Sequence, residues 1–333
     1  MRNKFRFILP VFIIFLPCLI FAKQVRIGLH WQPQAQFAGY IMALEKGLFA
    51  ESDLDVELVF TEGVDLILDK LINNEFDYAT SWLSQAIYIN KNEELINLCQ
   101  ILQHSSLMIV AKKDSDIYRI SNLNNKNVSL WNGDFSLPLN AFLKKHQLKI
   151  NKLPGKANID LFMSDACDAA SVMYYNEYNK IYLAGLDHDK LSIFRFSDDK
   201  ELDFVEDGVY VRKDYYLKNL TEAKNIKNAI LSGWFYAYHN REETVQTVLK
   251  YCNEKKLRTN YAEQKWMLDK ILEAIFGKED LYETHRKDAL IPLDFLGELK
   301  ETDYYQIANE LKKQKIIQNI IPYKNFIAGS END

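Results

Sequence analysis

Apolar residues in the first third of the chain change period twice in quick succession. Val25, Ile27 and Leu29 alternate with Arg26, Gly28 and His30, and a period of two sets one group of side chains on one face of a strand. Phe37, Tyr40, Ile41, Leu44 and Leu48 then recur at spacings of three and four, which predicts a helix ended by Gly47. Residues 56–60 read as a second strand, Val64, Ile67, Leu68, Leu71 and Ile72 as another helical stripe, and 76–80 as a third strand. Such short alternation predicts a parallel sheet with helices packed on its faces.

After the apolar run 106–111 the pattern restarts, with strands expected at 128–131, 168–174 and 191–196 and helices at 136–146 and 177–186. Beyond Val211 the chain reads as almost wholly helical, with stripes at 221–238, 242–252, 262–276 and 304–315. No Pro/Gly/Ser-rich linker separates the two α/β units. Units joined in this way enclose a cleft, and a chain that crosses twice, near Ala111 and near Asp207, allows them to close on a ligand as a hinge. The expected organisation is therefore a discontinuous first lobe, 23–111 with 206–333, carrying the C-terminal helices, and a second lobe, 112–205.

Residues 1–22 stand apart: Arg2, Lys4 and Arg6 precede an apolar run to Phe21 that ends at Ala22. This is the form of a secretory signal peptide. The run is shorter than the ~20 residues of a spanning helix, and Pro10 and Pro17 interrupt it. Cys18 is a poor candidate for lipidation, because Leu16-Pro17 precedes it where a small residue is favoured. A periplasmic or extracytoplasmic location follows.

The 41 basic and 46 acidic residues give a formal charge of −5 with no basic block, so nucleic acid is not an expected partner. The cysteines (Cys18, Cys99, Cys167, Cys252) form no C-x-x-C pair, and the histidines have no metal-ligand spacing. P-loop, G-x-G-x-x-G and G-x-S-x-G motifs are likewise missing from the sequence. Neither a catalytic group, a metal nor a cofactor is expected.

Chemistry instead gathers at strand ends. Trp31 follows the first strand, with Gln32, Gln34 and Gln36 as neutral donors and acceptors beside it. Trp82 follows the third strand, and Trp131 ends the first strand of the second unit, before Asn132. Open α/β sheets bind ligands at the carboxyl ends of their strands, and flat heteroaromatic ligands need rings to stack on. Tyr174 and Tyr175 must point to opposite faces, so only one reaches the cleft. Asn176 and Glu177 follow at the start of a helix, where Glu177 either contacts a ligand or favours the helix N-terminus electrostatically.

The segments from Gly28 to Tyr40 (GLHWQPQAQFAGY), from Ala43 to Phe49 (ALEKGLF) and from Asp168 to Tyr178 (DAASVMYYNEY) resemble substrate-binding proteins of the thiamine-pyrimidine-precursor group of ABC importers. Weaker matches lie at Leu123–Val128 and Ser232–Ala237, and the similarity covers most of residues 24–275. The resemblance implies a type II periplasmic-binding-protein fold, two α/β lobes around a ligand cleft with the C-terminal helices on lobe one. It also implies a monomeric binder rather than an enzyme, a small-molecule ligand and a permease partner. Binders of this group often read D-W-x-P-N-x-x-H in the first loop, where this chain has His30, Gln34 and Phe37 at the variable places. The His-Trp-Gln-Pro form also resembles input domains of membrane signalling proteins, which makes a sensor protein the alternative partner. Pyridoxal-dependent pyrimidine synthases share the fold but carry a cysteine cluster that residues 203–208 lack. The expected ligand residues are His30, Trp31, Gln36, Trp82, Trp131, Asn132, Tyr175, Asn176 and Glu177, with Trp31 and Tyr175 clamping a ring and Glu177 orienting it.

Overall fold

A computed structural model describes residues 24–62, 67–133, 136–155, 159–277 and 296–329. The signal segment with Cys18, and Val64 of the second helical stripe, lie outside the described residues.

Four strands open the chain: β1 (Val25–Leu29), β2 (Val56–Phe60), β3 (Tyr78–Trp82) and β4 (Leu95–Gln100). The next five, β5 (Leu107–Lys112), β6 (Asn127–Leu130), β7 (Asn151–Pro154), β8 (Ala169–Met173) and β9 (Leu191–Arg195), form a separate sheet in the order β7-β6-β8-β5-β9. The chain then returns as β10 (Asp207–Arg212), which inserts into the first sheet to give the order β2-β1-β3-β10-β4. Helices in chain order are α1 (Ala38–Glu45), α2 (Ile67–Ile72), α3 (Leu83–Ile89), α4 (Ser136–Lys145), α5 (Asp160–Met163), α6 (Glu177–Leu183), α7 (Lys213–Lys218), α8 (Leu220–His239), α9 (Arg241–Glu254), α10 (Tyr261–Phe276) and α11 (Glu301–Lys313).

Three features depart from the sequence reading. The sheets are mixed: β1 pairs in parallel with β2 and β3, but β10 runs antiparallel to β3 and β4, and β5 antiparallel to β8 and β9. Each crossing strand enters its sheet from the other sheet's side, so it runs against strands whose carboxyl ends face that side. The apolar run ending at Ala111, placed by the sequence reading in the first lobe, hydrogen-bonds with β8 and β9 and so belongs to the second sheet. The outgoing crossing lies before Leu107 rather than at Ala111. Finally, β4 and β7 carry no alternation that announces them. All six residues of β4 are buried, because the edge strand is covered: Asn97 N–H donates to Phe326 O (2.7 Å) and Ala328 N–H to Asn97 O (3.0 Å).

The third strand starts two residues later than expected because Phe76 has another task. Its ring lies under Gly28, where an added Cβ would sit 2.7 Å from it, while Asp77 exchanges hydrogen bonds with the backbone of Arg26. That register makes Trp82 the last residue of β3 and sets it opposite Asp207.

The C-terminal helices pack on the first sheet's side, α8 across α1, yet two of them also reach the second sheet's elements. Trp266 of α10 donates its indole N–H to Tyr174 O (3.0 Å), and Gln314, after α11, donates to Leu137 O (3.1 Å). The thiols of Cys99, Cys167 and Cys252 are free and buried. Burial pushes Cys99 up to about 12 and Cys252 to about 11, which makes both packing residues rather than nucleophiles.

Candidate ligand-binding cleft

The carboxyl ends of β1, β3 and β8 meet the two crossings at one place, and a small cavity opens there. From the first sheet's side it is lined by His30, Trp31, Gln34, Gln36 and Trp82. The second sheet's side supplies Trp131, Met173, Tyr175, Asn176 and Glu177. Of the nine residues expected at a ligand, eight are thus brought together from segments up to 147 positions apart in sequence (30 to 177). Asn132 is exposed and is not among the lining residues.

Two lining residues, Gln34 and Met173, were outside that set. Gln34 was visible as one of the amides beside Trp31. Met173 ends β8, and only the pairing Leu107↔Met173 shows that this end faces the crossing.

The floor is a buried polar chain. His30, 2% exposed, follows β1, its backbone N–H donates to Thr80 Oγ1 (3.1 Å), and its Nδ1 lies 2.7 Å from the same oxygen. Its Nε2 is 3.5 Å from Asp207 Oδ1, and Phe37 packs edge-on against the ring. Gln36 donates to Asp207 Oδ2 (2.7 Å), and Gln34 donates to Gln36 Oε1 (2.6 Å). Burial lowers the pKa of His30, against the opposing pull of Asp207, so the imidazole stays neutral. Burial likewise raises Asp207, with His30 and Gln36 opposing. The floor therefore offers an imidazole and two amides as donors and acceptors, with the Asp207 carboxyl beneath them, suited to a polar heterocycle.

The walls are aromatic. Trp82 and Tyr175 are buried, while Trp31 and Trp131 are half-buried. Trp131 is held by its backbone N–H, which donates to Ser171 Oγ on β8 (2.8 Å). Tyr174 and Tyr175 do face opposite ways. Tyr175 lines the cavity, whereas Tyr174 lies behind it against Trp266, with the Arg195 guanidinium 4.1 Å from its ring centre.

Glu177, 1% exposed, is committed more to the fold than its expected role implies. Oε2 accepts from Met173 N–H (3.0 Å) and Oε1 from the Asn176 amide (2.9 Å), so the carboxylate ties the end of β8 to the start of α6. Burial raises its pKa, opposed by the Met173 N–H.

The cavity measures only about 40 Å³, room for about three water molecules. Trp31, Gln34, Tyr175 and Asn176 also border a second chamber of about 300 Å³. The outer chamber draws Leu257, Arg258, Thr259 and Gln264 from the turn between α9 and α10 and the start of α10, residues with no local signal of a binding role. Gln264 places them by accepting from Ala35 N–H (2.7 Å) and donating to Thr259 Oγ1 (2.9 Å).

Residues 34–244 match the family model described as NMT1/THI5 like. No curated protein matches the sequence. Among solved structures, the chain is similar to the periplasmic aliphatic sulphonate binding protein SsuA from Escherichia coli, with a TM-score of 0.68 at 13% identity over 90% of this chain and 95% of that one. A ligand binding component of an ABC-type import system from Staphylococcus aureus gives 0.61 at 13%, covering 92% and 96%. The periplasmic nitrate-binding protein NrtA from Synechocystis PCC 6803 gives 0.56 at 13%, covering 74% and 69%. The family match over most of the chain and these shared two-sheet architectures lead to one conclusion: this chain belongs to the NMT1/THI5-like family and has the fold of the periplasmic binding proteins.

Proposed function

We propose that the chain is an extracytoplasmic solute receptor that captures a small nitrogen-containing aromatic compound of the aminopyrimidine class and delivers it to an ABC-type permease. The observation that carries this reading is the convergence of Trp31, Trp82, Trp131 and Tyr175 from both sheets on one cavity with a floor of neutral amides and imidazole. Aromatic faces stack on a flat ring and fixed polar groups orient it. The similar structures are named for aliphatic sulphonates and nitrate, so ligand chemistry on this fold has to be argued from each cavity's own residues.

An inner cavity of about 40 Å³ is too small for a ring, and ligand sites usually span ~300–1,000 Å³. Capture therefore requires the two sheets to part about the crossings at 101–106 and 196–206, and closure follows because only the closed form contacts the ring from both sides.

Calorimetric titration with 4-amino-5-hydroxymethyl-2-methylpyrimidine tests the reading. Trp31→Ala is expected to weaken binding by about 2–4 kcal/mol, as for a buried aromatic anchor. The melting temperature should hold, because Trp31 is half-buried at the rim. An undiminished affinity in this variant, or no binding to the native protein, would remove the aminopyrimidine assignment. Export is part of the same proposal: the intact mass of protein recovered from the periplasm is expected to lack residues 1–22, and retention of Met1 would contradict it.

A further inference from the structure

Helix α10 is anchored on the first sheet's side. It packs on α9 and on residues 35–37, Gln264 accepts from Ala35 N–H (2.7 Å), and Ala274 O accepts from Gln103 N–H (3.0 Å) in the outgoing crossing. Met267, Leu268, Ile271 and Leu272 are buried in the main core. Trp266 leaves the same helix in another direction and packs against a small core of the second unit, which includes Val110, Val172, Tyr178 and Ile181. Its indole N–H donates to Tyr174 O (3.0 Å), and its ring stands at 90° to the Tyr174 ring with 5.7 Å between centres. Lys270, one turn further and so on the same face of α10, sets Nζ 4.8 Å from the centre of the Tyr174 ring and 5.1 Å from that of Trp266. Glu273 Oε2, 2.9 Å from Nζ, holds the ammonium there.

Tyr174 and Tyr175 face opposite ways, and so join two surfaces. Tyr175 lines the inner cavity together with Trp31 and Gln34 of the first side, while Tyr174 meets Trp266 and Lys270. A movement that draws Tyr175 away from Trp31 therefore carries Tyr174 away from α10, because α10 stays with Ala35 and Gln103. An N–H···O bond does not stretch beyond roughly 3.5 Å, so the indole must let go.

Resting on the reading above that the two sheets part to admit a solute, but not on which solute it is, we infer that Trp266 is a latch: its contact with Tyr174, backed by Lys270, holds the ligand-free protein closed and sets how often the cleft opens. Trp266 is not among the described residues lining the inner cavity or the outer chamber, so it acts on capture only through the population of the open form. The protein rests closed and opens against a fixed cost.

A thiol in the inner cavity reports that opening. Met173 is 3% exposed and lines the cavity, and its side chain takes no part in the latch. In ligand-free Met173→Cys, the rate of alkylation by iodoacetamide at the new thiol is proportional to the open population. Cys99 of β4 and Cys167 of the second unit are buried free thiols, and serve as controls that react only when their own units unfold. Adding Trp266→Ala is expected to raise the reporter's rate about tenfold or more, while Cys99 and Cys167, followed by peptide mass mapping, keep their rates. Trp266→Phe keeps a ring, loses the N–H donor and disturbs packing less; it is expected to give a rise of about threefold. An unchanged reporter rate in both variants, or a rise shared by all three thiols, overturns the latch. Neither result bears on the aminopyrimidine assignment, and a failure of 4-amino-5-hydroxymethyl-2-methylpyrimidine to bind would leave the latch standing.

Discussion

Gly233→Ala is expected to cost about 3 kcal/mol or more of folding stability, the upper part of the range for overpacking. Helices α1 and α8 cross with Gly39 facing Trp234 and with Gly233 against the backbone of α1. A Cβ built on Gly233 falls 2.1 Å from Gly39 O and 2.9 Å from Ala43 N, both backbone atoms that no rotamer change can move aside. The helices must separate, and the buried Trp234 ring, stacked edge-on against Tyr40, loses contact with them. Because α1 begins directly after the loop that carries His30, Trp31 and Gln36, the same separation should also weaken ligand binding. Urea denaturation measures the effect as a fall in midpoint at constant slope. Ser232→Ala, one residue away and half-buried, is the control, expected within about 0.5 kcal/mol of the native protein. Equal midpoints for the two variants would mean that the helices do not pack this closely.

The second large effect is a loss of stability as pH rises from 5 to 8, abolished in great part by Glu206→Gln. Glu206 ends the return crossing, directly before β10. Its Oε1 accepts from Ser105 Oγ (2.9 Å) and Ser106 N–H (2.7 Å), which fastens the return crossing to the outgoing one. Its other oxygen is buried without a hydrogen-bond partner among the described residues. Burial first, and then the neighbouring Asp207, push Glu206 up to about 8, with the bonds from Ser106 and Ser105 opposing.

A carboxyl in an unfolded chain ionises near 4.3, so between that value and about 8 the folded state binds a proton that the unfolded state has lost. The contribution of Glu206 to stability is therefore fully present below about pH 4.3 and is lost as pH rises toward about 8. Each pK unit is worth about 1.36 kcal/mol, which sets an upper bound of about 5 kcal/mol. Asp207, raised by its own burial, titrates together with Glu206 and leaves a residual slope in the variant. His104, raised by its hydrogen bond to Asp203 at the same crossing, adds a loss of the same sign that its exposure keeps small. Guanidinium denaturation of both proteins at pH 5, 6.5 and 8 is the measurement. If Glu206→Gln keeps the full slope, the carboxyl is ionised in the fold and this account of the hinge fails.

These two effects mark the boundary between local and tertiary information. The period of two in residues 25–29 and the helical stripe that follows needed no partner to be read, because each repeats a pattern set by backbone geometry and the need to bury one face. The same holds for α8 to α10, whose observed limits fall within a residue or two of the stripes. Aromatic residues at strand ends were legible as candidates too, since a strand end in an open sheet is exposed to a cleft whatever surrounds it. Eight of the nine residues expected from these strand ends and their neighbours do line one cavity.

Where sequence distance exceeds the reach of periodicity, the local reading ends. The apolar run 107–111 looks the same in either sheet, and only pairing with β8 and β9 assigns it to the second. An edge strand such as β4 loses its alternation because residues 326–328 cover its outer side. Glu177 could be recognised as a helix-start acid, but its bond to Met173 N–H depends on how β8 ends. Asp207 is one acid among many in the sequence. It meets Gln36 and His30 because β10 inserts antiparallel to β3 and brings residue 207 beside Trp82. Local sequence determined the elements and the chemistry available at their ends, since both follow from short-range geometry. Which ends face one another, and which carboxyls lose their water, was decided only when the chain crossed twice between two sheets, because burial and charge pairing are properties of the assembled packing.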